Sequence, residues 1–130
     1  MEKKFANSNT PLIIGVVKER TPKDALEKMR YFEENGATAL DLHLSCLDEE
    51  YQTVDAMKPI ADGTDLPILA LNYARRYDWT EIEQTEDERA ELLIKGLQAG
   101  CSAVDLLGYS FHTQSRGKFV GEDIYSFTKK

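Results

Sequence analysis

Cysteine is scarce in this sequence, and it follows no ligand or disulfide pattern. Only Cys46 and Cys101 occur among 130 residues, which is too few for a disulfide framework and lacks the spacing of zinc ligands. Glycine-rich phosphate loops, nucleophile elbows and HExxH motifs are also missing. No motif therefore favours nucleotide binding, serine-hydrolase chemistry or a common zinc site, and we expect reduced cysteines, no metal and no cofactor.

Basic residues and long hydrophobic runs are scarce as well. Lysine and arginine number 16 against 23 acidic residues, which gives a net charge of -7 and a pI of about 4.8. This balance disfavours nucleic acid and anionic membranes as partners. The longest apolar run, residues 11–17, is far shorter than the roughly 20 residues that cross a bilayer. With no secretory signal pattern, we expect one cytoplasmic domain over residues 1–130, with residues 1–10 disordered.

The sequence does contain a regular alternation of short apolar runs and helical patterns, which is typical of repeated βα units and a parallel sheet. Four segments are predicted to form strands: residues 12–17, 39–44, 67–73 and 102–109. Helical patterns fill the three intervals between them. The order of these elements predicts an α/β fold with four parallel strands.

Threonines mark the starts of two of these helices. Thr21 precedes Pro22, which suits the first helical position, and Thr85 opens a capping box. Gly36 and Gly100 are expected to end the same two helices. The last of the three helices should bury four apolar side chains: Ala90, Leu93, Ile94 and Leu97.

The middle helix is less clearly marked. Tyr51, Val54 and Met57 recur at helical spacing, but Pro59 follows them. Proline removes a backbone hydrogen bond and collides with the preceding turn. We therefore expect this helix to stop near Lys58.

Two junctions between a helix and a strand repeat one another. Residues 36–42 read Gly-Ala-Thr-Ala-Leu-Asp-Leu, and residues 100–106 read Gly-Cys-Ser-Ala-Val-Asp-Leu. A repeat of two βα units indicates duplication within a (βα)8 barrel or an open doubly wound sheet, although such junctions also converge by chance. Because a TIM-type barrel usually has about 250 residues, we predict half of such a barrel.

Side-chain alternation along the second strand supports the barrel. Leu40, Leu42 and Leu44 share one face of the predicted strand, and three polar residues share the other: Asp41, His43 and Ser45. A parallel strand buried on both faces rarely has such a polar set. In a barrel the leucines pack against helices and the polar residues point toward the axis, where active sites lie. The alternative is an edge strand of an open sheet.

Two groups of residues are candidates for chemistry. Asp41 and His43 can serve as acid and base, or with Asp105 and His112 as metal ligands; the alternative is that the aspartates bond to nearby backbone. Tyr73 and two arginines, Arg75 and Arg76, follow the third strand, where barrel loops bind substrate. Such arginines can hold a carboxylate or phosphate, or they can simply pair with surface acids such as Glu81 or Glu83.

These segments resemble the N-terminal half of the type I 3-dehydroquinate dehydratase family. The matching segments are residues 36–45, the proline-led strand 66–73 and residues 100–107. The family's Glu-Leu-Arg falls on Asp41-Leu42-His43, the arginine of its Thr-Phe-Arg on Tyr73, and the glutamate of its Asp-Ile-Glu on Leu107. Each of the family's substrate-contacting charges is therefore altered or lost here.

The resemblance implies a lyase of the shikimate pathway of aromatic amino acid biosynthesis, which dehydrates a cyclic hydroxy-keto acid through a lysine imine. The family's lysine and its partner histidine belong to the second half of the barrel. We therefore expect a truncated or divergent relative that holds no catalytic residue and is inactive alone. A small carboxylate substrate would be bound by four residues: Asp41, His43, Tyr73 and Arg75.

The alternative is a non-catalytic half-barrel that serves as a binding or assembly module. A four-stranded half-barrel exposes two strand edges and much of its inner face. In either case we expect a homo-oligomer or pairing with a second barrel half.

Overall fold

The computed structural model describes residues 11–73 and 84–106. Within these ranges strands and helices alternate along the chain. In order they are β1 (Ile14–Val17), α1 (Pro22–Glu34), β2 (Ala39–His43), α2 (Val54–Asp62), β3 (Ile68–Leu71), α3 (Glu86–Ala99) and β4 (Ala103–Val104). Two single 3-10 turns, Leu44–Cys46 and Glu49–Tyr51, separate β2 from α2.

The strands form one parallel sheet in the order β1-β2-β3-β4. The helices follow the same order, with α1 packed on α2 and α2 on α3, and α1 and α3 also contact the strands beside them. Consecutive strand order with this single helix layer is the arrangement of successive units in a (βα)8 barrel. A doubly wound sheet has helices on both faces, and the described ranges show helices on only one. The predicted α/β fold with four parallel strands is confirmed.

The core lies between the sheet and the helix layer. Strand β2 contributes Leu40 and Leu42, and β3 contributes Ile68 and Ala70, all with an exposure of 2% or less. They pack in one cluster with four side chains from the helices: Met29, Met57, Ile60 and Leu93. The predicted leucine face of β2 therefore points toward the helices, and its polar face is left for the other side of the sheet.

Each helix in the described ranges begins with a threonine cap. The hydroxyl groups of Thr21, Thr53 and Thr85 each accept a hydrogen bond from the backbone N–H three residues later, at 3.1 to 3.2 Å. Glu88 completes the capping box by accepting a bond from the Thr85 N–H at 3.1 Å. The starts predicted for α1 and α3 are confirmed.

The prediction that the middle helix stops near Lys58 is wrong. Helix α2 continues through Pro59 to Asp62, because the turn after the proline buries Ile60 and Ala61, whose exposures are 0% and 2%. Proline forfeits one hydrogen bond within the helix, whereas burying a side chain the size of isoleucine stabilises by about 1.5 to 3 kcal/mol. Tertiary packing therefore overrides the local signal.

The buried face of α3 also differs from the one predicted. Ala90 and Leu93 are buried as expected, but Ile94 and Leu97 are only half-buried, and Gly96 lies against the sheet. A Cβ atom at Gly96 would lie 2.9 Å from Leu44 Cδ1 and 3.4 Å from the Cβ of Ala70. Because Gly96 has no side chain, α3 approaches the sheet closely at this residue. The side of α3 that contacts the sheet is therefore centred on Gly96 and not on Leu97.

The repeated junctions have the same structure. Gly36 and Gly100 both have a positive φ, 97° and 121°, which favours glycine. Two residues later, the hydroxyl groups of Thr38 and Ser102 accept hydrogen bonds from the backbone N–H of Ile13 and Ile68, at 2.9 and 3.2 Å. Each hydroxyl thus joins the start of one strand to the start of the strand before it, and the sequence repeat is a structural repeat.

Several predictions concern residues outside the described ranges. The predicted disorder of residues 1–10 and the last three positions of the predicted fourth strand, 107–109, are among them. The other predicted strands are present, with shorter bounds than expected at one or both ends. No helix in residues 11–73 or 84–106 is long and apolar enough to cross a membrane.

Candidate functional site

Two of the predicted site residues project from the end of β2 on the sheet face that carries no described helix. Asp41 and His43 are two residues apart on one strand, so they share a face. His43 is 5% exposed, and Asp41 is half-buried. The His43 Nε2 and Asp41 Oδ2 atoms are 3.7 Å apart, so the two side chains lie side by side at a distance too long for a direct hydrogen bond.

Tyr73 and Asp105 extend the group across the next two strands. The Tyr73 hydroxyl donates a hydrogen bond to Asp105 Oδ2 at 3.0 Å. The Tyr73 ring lies edge-on to the His43 ring, with centroids 5.3 Å apart and planes at 87°. Strands β2, β3 and β4 therefore bring four polar side chains together at their carboxyl ends, and we call this group the polar cluster.

The environment of Tyr73 keeps its phenol protonated. Partial burial raises the pKa of Tyr73 above its ordinary value of 10.0, and the hydrogen bond to Asp105 and the negative charges of Asp105 and Asp41 raise it further. The tyrosinate would meet two nearby carboxylates and lose its donated hydrogen bond. At neutral pH Tyr73 is therefore a neutral hydrogen-bond donor within the polar cluster.

We expect Asp105→Asn to lower the pKa of Tyr73 toward 10.0, because the substitution removes the carboxylate that accepts the hydrogen bond of the phenol, together with its negative charge. The ultraviolet absorbance of tyrosinate, recorded against pH with a Tyr73→Phe variant as the subtraction control, measures this value. A Tyr73 pKa that stays the same in Asp105→Asn would contradict this assignment.

The raised pKa of Tyr73 also makes the stability of the chain depend on pH. Above pH 10.0 the unfolded phenol loses its proton before the folded one does, so the contribution of Tyr73 to the free energy of unfolding is complete below pH 10.0 and declines as pH rises.

Two buried oxygen atoms near the end of β2 have no hydrogen-bond partner: Asp41 Oδ1 and Ser45 Oγ. A buried polar atom left unpaired costs about 1 to 3 kcal/mol, so such atoms need a reason. Asp41 Oδ1 lies within the polar cluster and can accept a hydrogen bond from a ligand hydroxyl or ammonium. Ser45 does not follow the predicted alternation, because the strand ends at His43 and Ser45 lies in the 3-10 turn.

A second set of side chains holds the end of β3 in place. Asn72, which is 2% exposed, donates from Nδ2 to Gln84 Oε1 and to the backbone carbonyl of Arg89, both at 3.2 Å. Gln84 Nε2 returns a bond to Asn72 Oδ1 at 3.3 Å and also reaches the Tyr73 carbonyl at 3.4 Å. These contacts fix the backbone of Tyr73 against the start of α3. Neither Asn72 nor Gln84 was predicted from the sequence. The signal that could have indicated Asn72 is its position as an amide at the end of an apolar strand.

The loops after β1 and β2 meet beside the same end of the sheet. Arg20 Nε donates to Asp48 Oδ1 at 3.0 Å, and the Asp48 N–H donates to the Arg20 carbonyl at 2.8 Å. The charged pair is largely exposed, so its own stabilisation is small. The Arg20–Asp48 pair contributes to the site by holding two neighbouring loops together at the carboxyl ends of the strands.

Of the four predicted binding residues, the structure brings together Asp41, His43 and Tyr73. Arg75 lies outside the described ranges, as do Arg76, Glu81, Glu83, Leu107 and His112. Asp105, which the repeat equates with Asp41, joins the polar cluster. In the described part of the chain, no three His, Cys, Asp or Glu side chains are placed to hold a metal ion. Cys46 and Cys101 are buried and form no disulfide.

Comparison with known proteins supports the fold more than the activity. No family model matches the sequence, and no curated protein matches it. Among solved structures, the chain is similar to 3-dehydroquinate dehydratase from Geobacillus kaustophilus, with a TM-score of 0.70 and 18% sequence identity. The match covers 94% of this chain and 47% of that protein, so this chain spans about half its length. The predicted half of a TIM-type barrel is thereby confirmed as the fold.

Proposed function

We propose that this chain supplies the substrate-binding half of a barrel enzyme related to type I 3-dehydroquinate dehydratase. The observation that carries the proposal is the polar cluster, which gathers side chains from three parallel strands at their carboxyl ends. Active sites of (βα)8 barrels lie at this end. The fold similarity to the Geobacillus dehydratase supports the same conclusion.

The chemistry of the polar cluster favours a ligand rich in hydroxyl groups. Asp41 Oδ1 is an unused acceptor, Tyr73 is a neutral phenol, and the His43 imidazole has ring nitrogens that can form hydrogen bonds with a ligand. Two carboxylates, Asp41 and Asp105, would repel the acid group of a ligand. A cyclic hydroxy-keto acid would therefore turn its hydroxyl edge toward these aspartates, and we assign its carboxylate to Arg75.

The proposed reaction is elimination of water through a lysine imine. A lysine amine condenses with the ketone and releases one water. A base takes the neighbouring proton and returns it to the hydroxyl group, which leaves as a second water, and one water then hydrolyses the imine and restores the lysine amine and the ketone. A nucleophilic lysine must be desolvated or lie near another cation. Lys18, which follows β1, is exposed, so we assign the reactive lysine to a second barrel half and expect this chain alone to bind without reacting.

A second candidate function is a non-catalytic assembly module. It is favoured by one separate observation, the exposure of Ile14 and Val16 on the same sheet face as the polar cluster. Apolar side chains exposed in a row mark interaction surfaces. We also propose a cytoplasmic location for either form of the protein.

Titration of the chain with 3-dehydroquinate, followed by amide NMR shifts, tests the binding proposal. We expect saturable shifts around Asp41, His43 and Tyr73, and at least tenfold weaker binding in Asp41→Asn, since a charged acceptor is lost. Asp62→Asn is the matched control, because Asp62 is exposed on the outer helix layer and pairs with Lys58 there. Absence of shifts, or equal weakening by both variants, would overturn the binding site.

Borohydride trapping tests the assignment of the lysine. Reduction of the imine joins substrate and lysine covalently, which mass spectrometry detects. We expect no adduct and no dehydration with this chain alone, and both when a second barrel half is joined to it or mixed with it. An adduct on the isolated chain would overturn the assignment, and failure of every completed form to dehydrate 3-dehydroquinate or a related hydroxy-keto acid would overturn the enzyme function.

A further inference from the structure

Strand β1 presents an apolar surface that the described chain leaves uncovered. Ile14 and Val16 are 44% and 45% exposed. In the sheet register they lie beside Ala39 and Asp41, and neighbouring residues of parallel strands share a face. The uncovered apolar row and the polar cluster therefore belong to the same face of the sheet.

Within residues 11–73 and 84–106, the backbone of β1 is unpaired on its outer side. The Ile13 carbonyl accepts hydrogen bonds from the N–H groups of Thr38 and Ala39, and the Ile13 N–H donates to Thr38, so the backbone of Ile13 faces β2. Backbone direction alternates along a strand. The N–H and C=O groups of Ile14 and Val16 therefore point away from β2, and no strand in the described ranges pairs with them.

The structural repeat shows what covers the equivalent edge elsewhere in the chain. Ala39 and Ala103 hold the same position in the two junctions, and their partners in the sheet are Ile14 and Leu69. Strand β1 is therefore the equivalent of β3, with Val16 matching Leu71. Leu69 is half-buried and Leu71 is 3% exposed, and the edge of β3 that corresponds to the open edge of β1 is paired with β2.

We infer that β1 pairs with β4 of a second copy of this chain, because β4 is the repeat equivalent of β2. The register follows from the pairing inside the chain. Leu40 and Asp41 pair with Ile68 and Leu69, so Val104 and Asp105 would pair with Ile13 and Ile14 of the partner subunit. The chain would thus use between copies the contact that it already makes between its own repeats.

Two copies close the sheet without leaving an edge. The four described strands leave one β1 edge and one β4 edge in each copy, so two identical contacts related by a two-fold axis join them into eight parallel strands. This inference rests on the proposed substrate-binding site, because closure places the partner subunit's inner face opposite the polar cluster. The pair of identical chains supplies no reactive lysine, so we expect it to bind the substrate without reacting, and the lysine remains assigned to a different second half.

The native mass of the 130-residue chain, measured by light scattering over a wide range of concentrations, tests the pairing. We expect twice the 14.7 kDa of one chain, and the mass of one chain for Ile14→Lys and Val16→Lys. Tyr31→Lys is the matched control, because Tyr31 is 58% exposed on α1, away from the open sheet face, and this variant should remain a dimer. A monomer at every concentration, a dimer unaffected by both β1 variants, or open-ended oligomers would each overturn the inference.

Cross-linking tests the register without charged substitutions, which matters if a lysine variant fails to fold. We expect Ile13→Cys in one copy and Val104→Cys in the other to be joined by a short thiol reagent, and Ile13→Cys with Glu27→Cys on α1 not to be joined. No product from the first pair would overturn the register. A monomer that still shows ligand shifts dependent on Asp41 would refute the pairing alone, whereas a dimer without those shifts would refute the binding proposal alone.

Discussion

Replacing Gly15 with valine is expected to destabilise the chain by about 3 kcal/mol, the upper part of the usual range for overpacking a core. A Cβ atom at Gly15 would lie 2.5 Å from Phe32 Cγ and 2.8 Å from Phe32 Cβ. The second atom is fixed to the backbone of α1, so rotation of the ring cannot relieve the contact. Valine is a better strand former than glycine, so a loss of stability has to come from the collision. Urea unfolding followed by circular dichroism measures it.

The double variant Gly15→Val with Phe32→Ala is the control for this explanation. Removing the ring makes room for the new side chain, so the two substitutions together should cost about 1 to 2 kcal/mol less than the sum of their separate costs. If Gly15→Val costs the same with and without the Phe32 ring, the close approach of α1 to β1 is not the reason for the glycine.

Replacing Asp41 with leucine is expected to stabilise the chain by about 1 to 2 kcal/mol while abolishing ligand binding. Asp41 Oδ1 is buried and unpaired, and the sheet neighbours of Asp41 on the same face are Val16 and Leu69. Leucine there would join an apolar row and remove the cost of an unsatisfied oxygen. Gains in stability at the expense of activity are typical of residues kept for binding. Thermal unfolding and the NMR titration measure the two effects.

Asp41→Asn separates charge from shape in this experiment. The amide keeps the size of the carboxylate and its polar atoms, so its gain in stability should be smaller than that of leucine, while ligand binding still weakens. A loss of stability in Asp41→Leu would show that the carboxylate has a stabilising partner, and it would remove the argument that Asp41 is held ready for a ligand.

Local sequence signals predicted the elements that depend on local chemistry. Thr21 and Thr85 cap the helices that they were expected to start, and Gly36 and Gly100 adopt the positive φ that such junctions require. The alternation along β2 placed its leucines toward the helices and Asp41 and His43 on the other face. These features follow from periodicity and from single side chains bonding to nearby backbone, which a sequence displays directly.

Features that depend on tertiary packing were not predictable in the same way. The run of α2 through Pro59 depends on burial of Ile60, and the contact face of α3 depends on how closely Gly96 lets it approach the sheet. In the polar cluster, the sequence grouped Asp41, His43 and Tyr73 but not the bond from Tyr73 to Asp105. That bond depends on the position of Tyr73 after the end of β3, and the periodicity of the sequence carries no information about this position.

Consecutive strand order also bears on how the chain is made. Because each strand pairs with the one before it in sequence, a growing polypeptide has the partner of every new strand already available when that strand leaves the ribosome. In the described ranges one α-helix lies between each strand and the next. Paired strands are therefore close in sequence, and the entropy lost in bringing each pair together is modest. Folding can therefore advance from the amino terminus as a series of additions, and each helix shields the helix-facing side of the newest strand during synthesis.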